Sequence, residues 1–173
     1  FSTMNLTQLT TVLLLGLLCT QAAAQPASTG APTVETYKKI PAYSLQDLSG
    51  GSFMANAVQQ KNKTLVVVYF SPTCSHCISF TENLTSSLKR FSRQVQFLYI
   101  SAYPVADIRA FAATQGLLKM PSFKLGFDAD FSLGKFYMLK DIPAIFVYNT
   151  QGKLVRHFDS HVVMDDLIAA ANQ

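Results

Sequence analysis

The chain is short of cysteine and of charge. Only three cysteines occur in 173 residues, and Asp, Glu, Lys and Arg together make up 14%. So few thiols exclude a densely cross-linked scaffold, and stability must come from an apolar core, for which one domain of this length suffices. The net charge of +4 is scattered along the chain (Lys38, Lys39, Lys61, Lys63, Lys89, Arg90, Arg93), with no long basic run interleaved with aromatics. That excludes an electrostatic footprint for nucleic acid. No dense apolar run reaches the ~20 residues of a membrane-spanning helix. No internal repeat is present, and there is no tryptophan.

What is present is hydrophobic. The hydrophobic fraction is 49% and the mean hydropathy is +0.22, high for a soluble protein. Much of the excess lies at the N-terminus, where nothing from Phe1 to Val34 is charged. A short apolar core from Val12 to Cys19 precedes Ala22-Ala23-Ala24, the pattern of a secretory signal peptide. Residues 1–24 are read as that signal, with Met4 as the start, Phe1 to Thr3 upstream of it, and cleavage near Ala24-Gln25. The region before the apolar core lacks Lys and Arg, which departs from the pattern. Retention as a membrane anchor and lipidation at Cys19 are the rivals; Leu18 is larger than the residue that normally precedes a lipidated cysteine. Residues 25–36, rich in Pro, Ser, Thr and Ala, read as a disordered tether. The folded domain is expected over residues 37–173.

Cleavage removes Cys19 and leaves one pair, Cys74 and Cys77, in Cys74-Ser75-His76-Cys77. The pair follows the apolar run Leu65 to Phe70, which Pro72 breaks, and opens a helical pattern with Phe80, Leu84, Leu88 and Phe91 at core spacing from Ser75 to about Arg93. Two thiols at a strand-to-helix turn can close a disulfide or open another one. A helix N-terminus favours an anion, so Cys74 is the thiolate candidate and Cys77 the resolving thiol.

The remaining pattern alternates strands and helices. A hairpin is expected around Ala42 to Leu45 and Gly50-Gly51, and a short helix over Phe53 to Gln60. Strands are expected at Val95 to Ile100, Phe123 to Phe127 and Ala144 to Tyr148, the last turning at Asn149 to Gly152 into Lys153 to Phe158. Helices are expected from Pro104 or Val105 to Gln115, from Asp130 to Leu139 and from Val162 to Ala171. This order gives an α/β fold with a mixed sheet and helices on both faces, the strands at Leu65 and Val95 being parallel neighbours by the right-handed crossover rule.

The run VVVYFSPTCSHC, the Ile142-Pro143 pair before a strand and the hairpin AIFVYNTQGKLVRHF resemble the thioredoxin superfamily, and within it the exported TlpA/ResA-type thiol-disulfide oxidoreductases. The resemblance covers roughly Ile40 to Asn172 and implies the thioredoxin-like fold. It implies that Cys74 attacks, that Cys77 resolves, and that Pro143 is the family's cis-proline beside the disulfide. Ile142, Pro143, Pro72 and Thr73 are then substrate-binding, with the Ile142 backbone pairing to an extended client strand. Ser75 and His76 are thiolate-tuning residues. No cofactor beyond the dithiol is implied. The partners are protein clients with thiols or disulfides and a membrane electron donor, in a periplasmic or other extracytoplasmic setting.

Three departures matter. The buried Asp of thioredoxins, six residues before the first cysteine, is Val68 here. The Glu that ResA-type proteins carry three residues after the second cysteine is Phe80, and one helical turn does not bring nearby Glu82 to the same place. The Trp and Gly-Pro of the cytoplasmic thioredoxin motif are missing. The direction of exchange stays open. His76 between the cysteines argues for an oxidase or isomerase. The absence of a large helical insertion between Cys77 and Pro143 argues for a reductase of the cytochrome c maturation type. A Cu or Zn delivery module using both thiols and His76, with His157 or His161, is a third reading. A peroxidase would need a Pro-x-x-x-Thr-x-x-Cys pattern, which Pro72-Thr73-Cys74 is too compressed to supply. The aromatic stretch Phe123 to Tyr137 reads either as core or as the wall of a client groove.

Overall fold

A computed structural model describes residues 38–173. The expected signal peptide, Cys19 and the tether lie outside the described residues. Seven strands form one sheet: β1 (Ser44–Gln46), β2 (Ser52–Met54), β3 (Thr64–Tyr69), β4 (Val95–Ser101), β5 (Phe123–Phe127), β6 (Ala144–Tyr148) and β7 (Leu154–Phe158). The helices are α1 (Ser75–Ser86), α2 (Val105–Thr114), α3 (Ser132–Phe136) and α4 (Met164–Ala171). The sheet order is β2-β1-β5-β4-β3-β6-β7.

The three central strands are buried along their whole length, which is why their sequences are continuously apolar rather than alternating. β3 and β4 run parallel, Thr64 opposite Val95 through Tyr69 opposite Ile100, and β6 runs antiparallel on the other side of β3. One face of the sheet packs Val66, Val68, Phe70 and Tyr99 against α1, α2 and α4 through Leu84, Ile108 and Leu167. The other face packs Val67, Tyr69, Leu98 and Phe146 against Leu133 of α3 and Leu45 of the N-terminal hairpin. Each fully buried aliphatic side chain contributes about 1.5–3 kcal/mol. Gly126 lets β1 approach: a Cβ there would meet Leu45 Cδ1 at 2.9 Å. Gly116, at φ +71°, supplies the left-handed turn that ends α2.

Three expected elements are shorter in the structure. The helix expected over Phe53 to Gln60 is a single 3-10 turn, Ala55–Ala57, because Phe53 and Met54 pair with β1 and Ala55 N–H bonds Tyr43 O at 2.8 Å. α1 stops at Ser86 rather than near Arg93. There Thr85 and Ser86 hydroxyls donate back to the carbonyls of Glu82 and Asn83, competing with the helical ladder. Leu88 and Phe91 still reach the core from a 3-10 turn and the segment after it. The helix expected over Asp130 to Leu139 is reduced to α3, bracketed by Phe131 and Met138 in the left-handed region at φ 54° and 46°. Between them Asp128 organises the backbone, as its buried carboxylate accepts from the N–H groups of Ser132, Leu133 and Gly134 and from Tyr69 OH.

Candidate active site

Parallel pairing puts the C-terminal ends of β3 and β4 side by side, and Phe70 N–H bonds Ile100 O at 2.9 Å just beyond β3. The loops that follow, Ser71 to Cys74 and Ala102 to Pro104, therefore meet. Antiparallel pairing of Tyr69 with Ala144 brings the start of β6, and with it Ile142-Pro143, to the same end of the sheet. Residues 68 positions apart in sequence, Cys74 and Ile142, come into contact, the Cys74 thiol pointing at Ile142 O at 3.9 Å. The Ile142–Pro143 peptide is cis, and Pro143 is buried.

Cys74 is the N-cap of α1, in extended conformation at φ −81° and ψ 119°. Its sulfur accepts the N–H of Cys77, three residues on, at 3.4 Å, the place a Ser or Asp oxygen takes in an ordinary cap. Cys74 is half-buried and Cys77 fully buried, both as free thiols. Burial pushes the Cys77 thiol up to about 12, against the Ser71 backbone N–H, which favours its thiolate; Cys74 raises it further. The pair is thus asymmetric: one sulfur at the surface at a helix N-terminus, one held neutral beneath it.

Ser75 and His76 are exposed, and neither side chain makes a hydrogen bond among the described residues. Thr73 is exposed and Pro72 half-buried on the rim. Val68 and Phe80 are buried in the apolar cluster that includes Cys77. His157 stacks on Phe146 at 4.5 Å in β7, and His161 sits beside Asp159 and Ser160. Among the described residues no three His, Cys, Asp or Glu side chains gather into a metal-holding group. Most of the aromatic stretch is core, with Phe123 and Tyr137 buried, whereas Phe131 is exposed on a cleft of about 430 Å³. That cleft also touches Ser71, Tyr103, Lys140, Asp141 and Ile142.

Sequence reasoning missed the hydroxyl groups around the dithiol. Behind Cys77, Thr81 Oγ1 donates to Cys77 O at 2.7 Å and pairs with Tyr99 OH at 3.4 Å, and burial raises the Tyr99 phenol well above its ordinary range. In front, Ser71, Thr73 and Tyr103 form a second cluster. The signal for both was available: Tyr99 stands opposite Val68 in a parallel register, and Tyr103 is two residues past the end of the strand that flanks β3.

The family model described as a thioredoxin-like domain matches residues 54–173, more than two thirds of the chain. No curated protein sequence matches significantly. Among solved structures, the chain is similar to a secreted Mycobacterium tuberculosis disulfide oxidoreductase described as homologous to E. coli DsbE. The identity is 20%, over 80% of this chain and 98% of that one, with a TM-score of 0.62. It is also similar to the Xanthomonas campestris bacterioferritin comigratory protein, whose structure was described for alkyl peroxide reduction, at 19% identity over 78% and 95% of the two chains and a TM-score of 0.62. A thioredoxin-like protein from Porphyromonas gingivalis matches at 17% identity over 77% and 89%, with a TM-score of 0.64. Identities this low establish a shared fold. With the family model spanning β3 through α4 and the paired thiols at the strand-to-helix turn, the chain belongs to the thioredoxin-like family.

Proposed function

We propose that this protein is an exported thiol-disulfide oxidoreductase of TlpA/ResA type that reduces disulfides in protein clients. The Cys74 thiolate attacks a client disulfide, forming a Cys74–client bond and releasing one client thiolate, which takes a proton. The Cys77 sulfur, once deprotonated, attacks Cys74; the Cys74–Cys77 bond forms, the Cys74–client bond breaks and the second client sulfur leaves with the electron pair. The client is oxidant and the dithiol reductant, so two electrons pass per cycle. A membrane electron donor returns them, and no cofactor beyond the dithiol is needed. The client lies extended along Ile142, whose carbonyl already faces Cys74, with Pro72 and Thr73 on the opposite rim. Residues 1–24 direct export and residues 25–36 tether the domain.

The observation that carries the reducing direction is the small number of donors on Cys74. Among the described residues its sulfur receives one N–H, from Cys77, while Ser75 and His76 face solvent without hydrogen bonds. A strongly oxidising pair needs extra stabilisation of the reduced form, at about 1.4 kcal/mol for each 30 mV. Equilibration against glutathione and dithiothreitol tests this: a potential at or below about −270 mV is expected, and one near −120 to −180 mV assigns the oxidase or isomerase role instead. Absence of any two-electron couple overturns exchange altogether.

A further inference from the structure

The segments that follow β3 and β4 and precede β6 leave a cleft of about 430 Å³ beside the dithiol. Two residues that line it also contact Cys74. Ile142 O lies 3.9 Å from the Cys74 sulfur, and Ser71 O accepts the Cys74 N–H at 3.2 Å. A group joined to the Cys74 sulfur therefore has its next atoms at the edge of this cleft. Two of the walls are rings: Tyr103, from the loop after β4, and Phe131, which precedes α3. Both are 39% exposed. Single apolar residues are scattered over any protein surface, but two rings left open on one cleft make a patch.

The Phe131 ring is fixed in place. Its backbone sits in the left-handed region at φ 54°, which residues with a Cβ rarely adopt. The ring lies against Gly134, where a Cβ would run into it. It meets Tyr69 edge to face, with centroids 5.8 Å apart, and Tyr69 OH is held by Asp128 at 2.9 Å. The same carboxylate accepts the Gly134 N–H at 3.1 Å, so one buried group anchors both supports of the ring. On the other wall, Tyr103 OH accepts from Thr73 Oγ1 at 3.5 Å. Walls already fixed lose little freedom when a ligand enters, which favours binding. At the rim Lys140 and Asp141 carry opposite charges side by side, so neither sign of ligand charge is favoured.

Resting on the exchange reading above, we propose that the Tyr103–Phe131 cleft is a side-chain subsite for the client and takes a large apolar residue beside the client cysteine that bonds Cys74. The client runs extended past Ile142, with its cysteine sulfur at Cys74 and the neighbouring side chain between the two rings. Main-chain pairing at Ile142 accepts any sequence, because every residue carries the same backbone groups. Choice among clients then comes from the pocket that receives a side chain. Tyr103 and Phe131 are the residues that set it, and the substrate class is a chain whose reactive cysteine is flanked by Phe, Leu or a residue of similar size and polarity.

The test uses the full reduced protein and short peptides, each with one cysteine held as a mixed disulfide with thionitrobenzoate. Attack by Cys74 on the peptide sulfur releases the coloured thiolate and gives a second-order rate constant. The residues on either side of the cysteine are Phe, Leu, Ser, Lys or Glu in turn. Each rate is divided by that of glutathione with the same peptide, which removes the peptide's own reactivity. Phe and Leu peptides should react roughly ten- to hundredfold faster than the Ser peptide. Phe131→Ala and Tyr103→Ala should each cut that ratio about threefold or more. Leu118→Ala, at an exposed site in the turn after α2, should keep it. Equal rates for Phe and Ser, or a ratio that survives both cleft substitutions, overturn the subsite and leave exchange intact. So does a Lys or Glu peptide that outruns Phe, which assigns a charged side chain. A rate constant that falls as protein concentration rises seats a second copy in the cleft and overturns it too. Release from no peptide overturns the exchange reading as well.

Discussion

Burial of Cys77 should be readable in the pH dependence of the reduction potential. Reducing the Cys74–Cys77 bond consumes two electrons and, with both thiols protonated, two protons; each proton contributes a fall of about 30 mV per pH unit. The buried Cys77 thiol keeps its proton to high pH. Because burial holds that thiol up to about 12, the 30 mV slope should persist well past pH 9. An exposed thiol near the ordinary value of about 8.5 would by then have lost its proton, and the profile would flatten. Between pH 9 and 10.5 the buried thiol gives a fall of about 45 mV, the ordinary one less than about 5 mV. The assay is equilibration in dithiothreitol redox buffers corrected for the buffer's own ionisation, with trapped fractions read by mass after alkylation. A flat potential above pH 9 refutes the reasoning, since it would mean that Cys77 ionises as if exposed.

The same burial links to stability. The folded thiol is held above its unfolded value, so its contribution is present below about pH 9 and is lost as pH rises towards 12. Urea unfolding of the reduced protein should therefore show the wild type losing about 1.4 kcal/mol per pH unit relative to Cys77→Ala above pH 9, and parallel curves would contradict this. His76→Ala should move the reduction potential by less than about 30 mV, because the imidazole is exposed and without a hydrogen bond; a larger shift means that the ring reaches the thiolate. Asp128→Ala should cost about 3 kcal/mol or more in urea unfolding, since Tyr69 OH and three N–H groups lose their acceptor; a loss under about 1 kcal/mol would show that they find another.

The sequence makes the central sheet and the dithiol legible for one reason: both depend on neighbours in the chain. Continuous apolar runs mark β3, β4 and β6 because those strands are covered on both faces. Cys74 caps its own helix, so the relation between Cys74 and Cys77 is local. What stayed hidden depends on pairing across the sheet. Phe53 and Met54 look helical until β1 is placed beside them. The segment from Asp130 to Leu139 has helical composition, but Asp128 pins three consecutive N–H groups and two residues outside α3 turn left-handed, shortening the helix to five residues. The hydroxyls around the dithiol are contributed by β4, the loops after β3 and β4, and α1, and only register shows that Tyr99 stands beside Val68 and that Tyr103 overhangs Thr73.

Hydroxyls in place of a buried carboxylate change what the site can regulate. An ionised carboxylate in the cluster of Val66, Val68, Phe70 and Tyr99 would carry a desolvation cost of several kcal/mol, whereas a hydrogen-bonded hydroxyl carries far less. A carboxylate also adds a charge to the resting state, and so shifts the equilibrium of the adjacent thiols as well as the speed of proton transfer. The neutral Thr81–Tyr99 pair behind Cys77 adds none. The balance between dithiol and disulfide is then left to the few donors on Cys74. Changes in the donors to the Cys74 sulfur should then alter which way the electrons run.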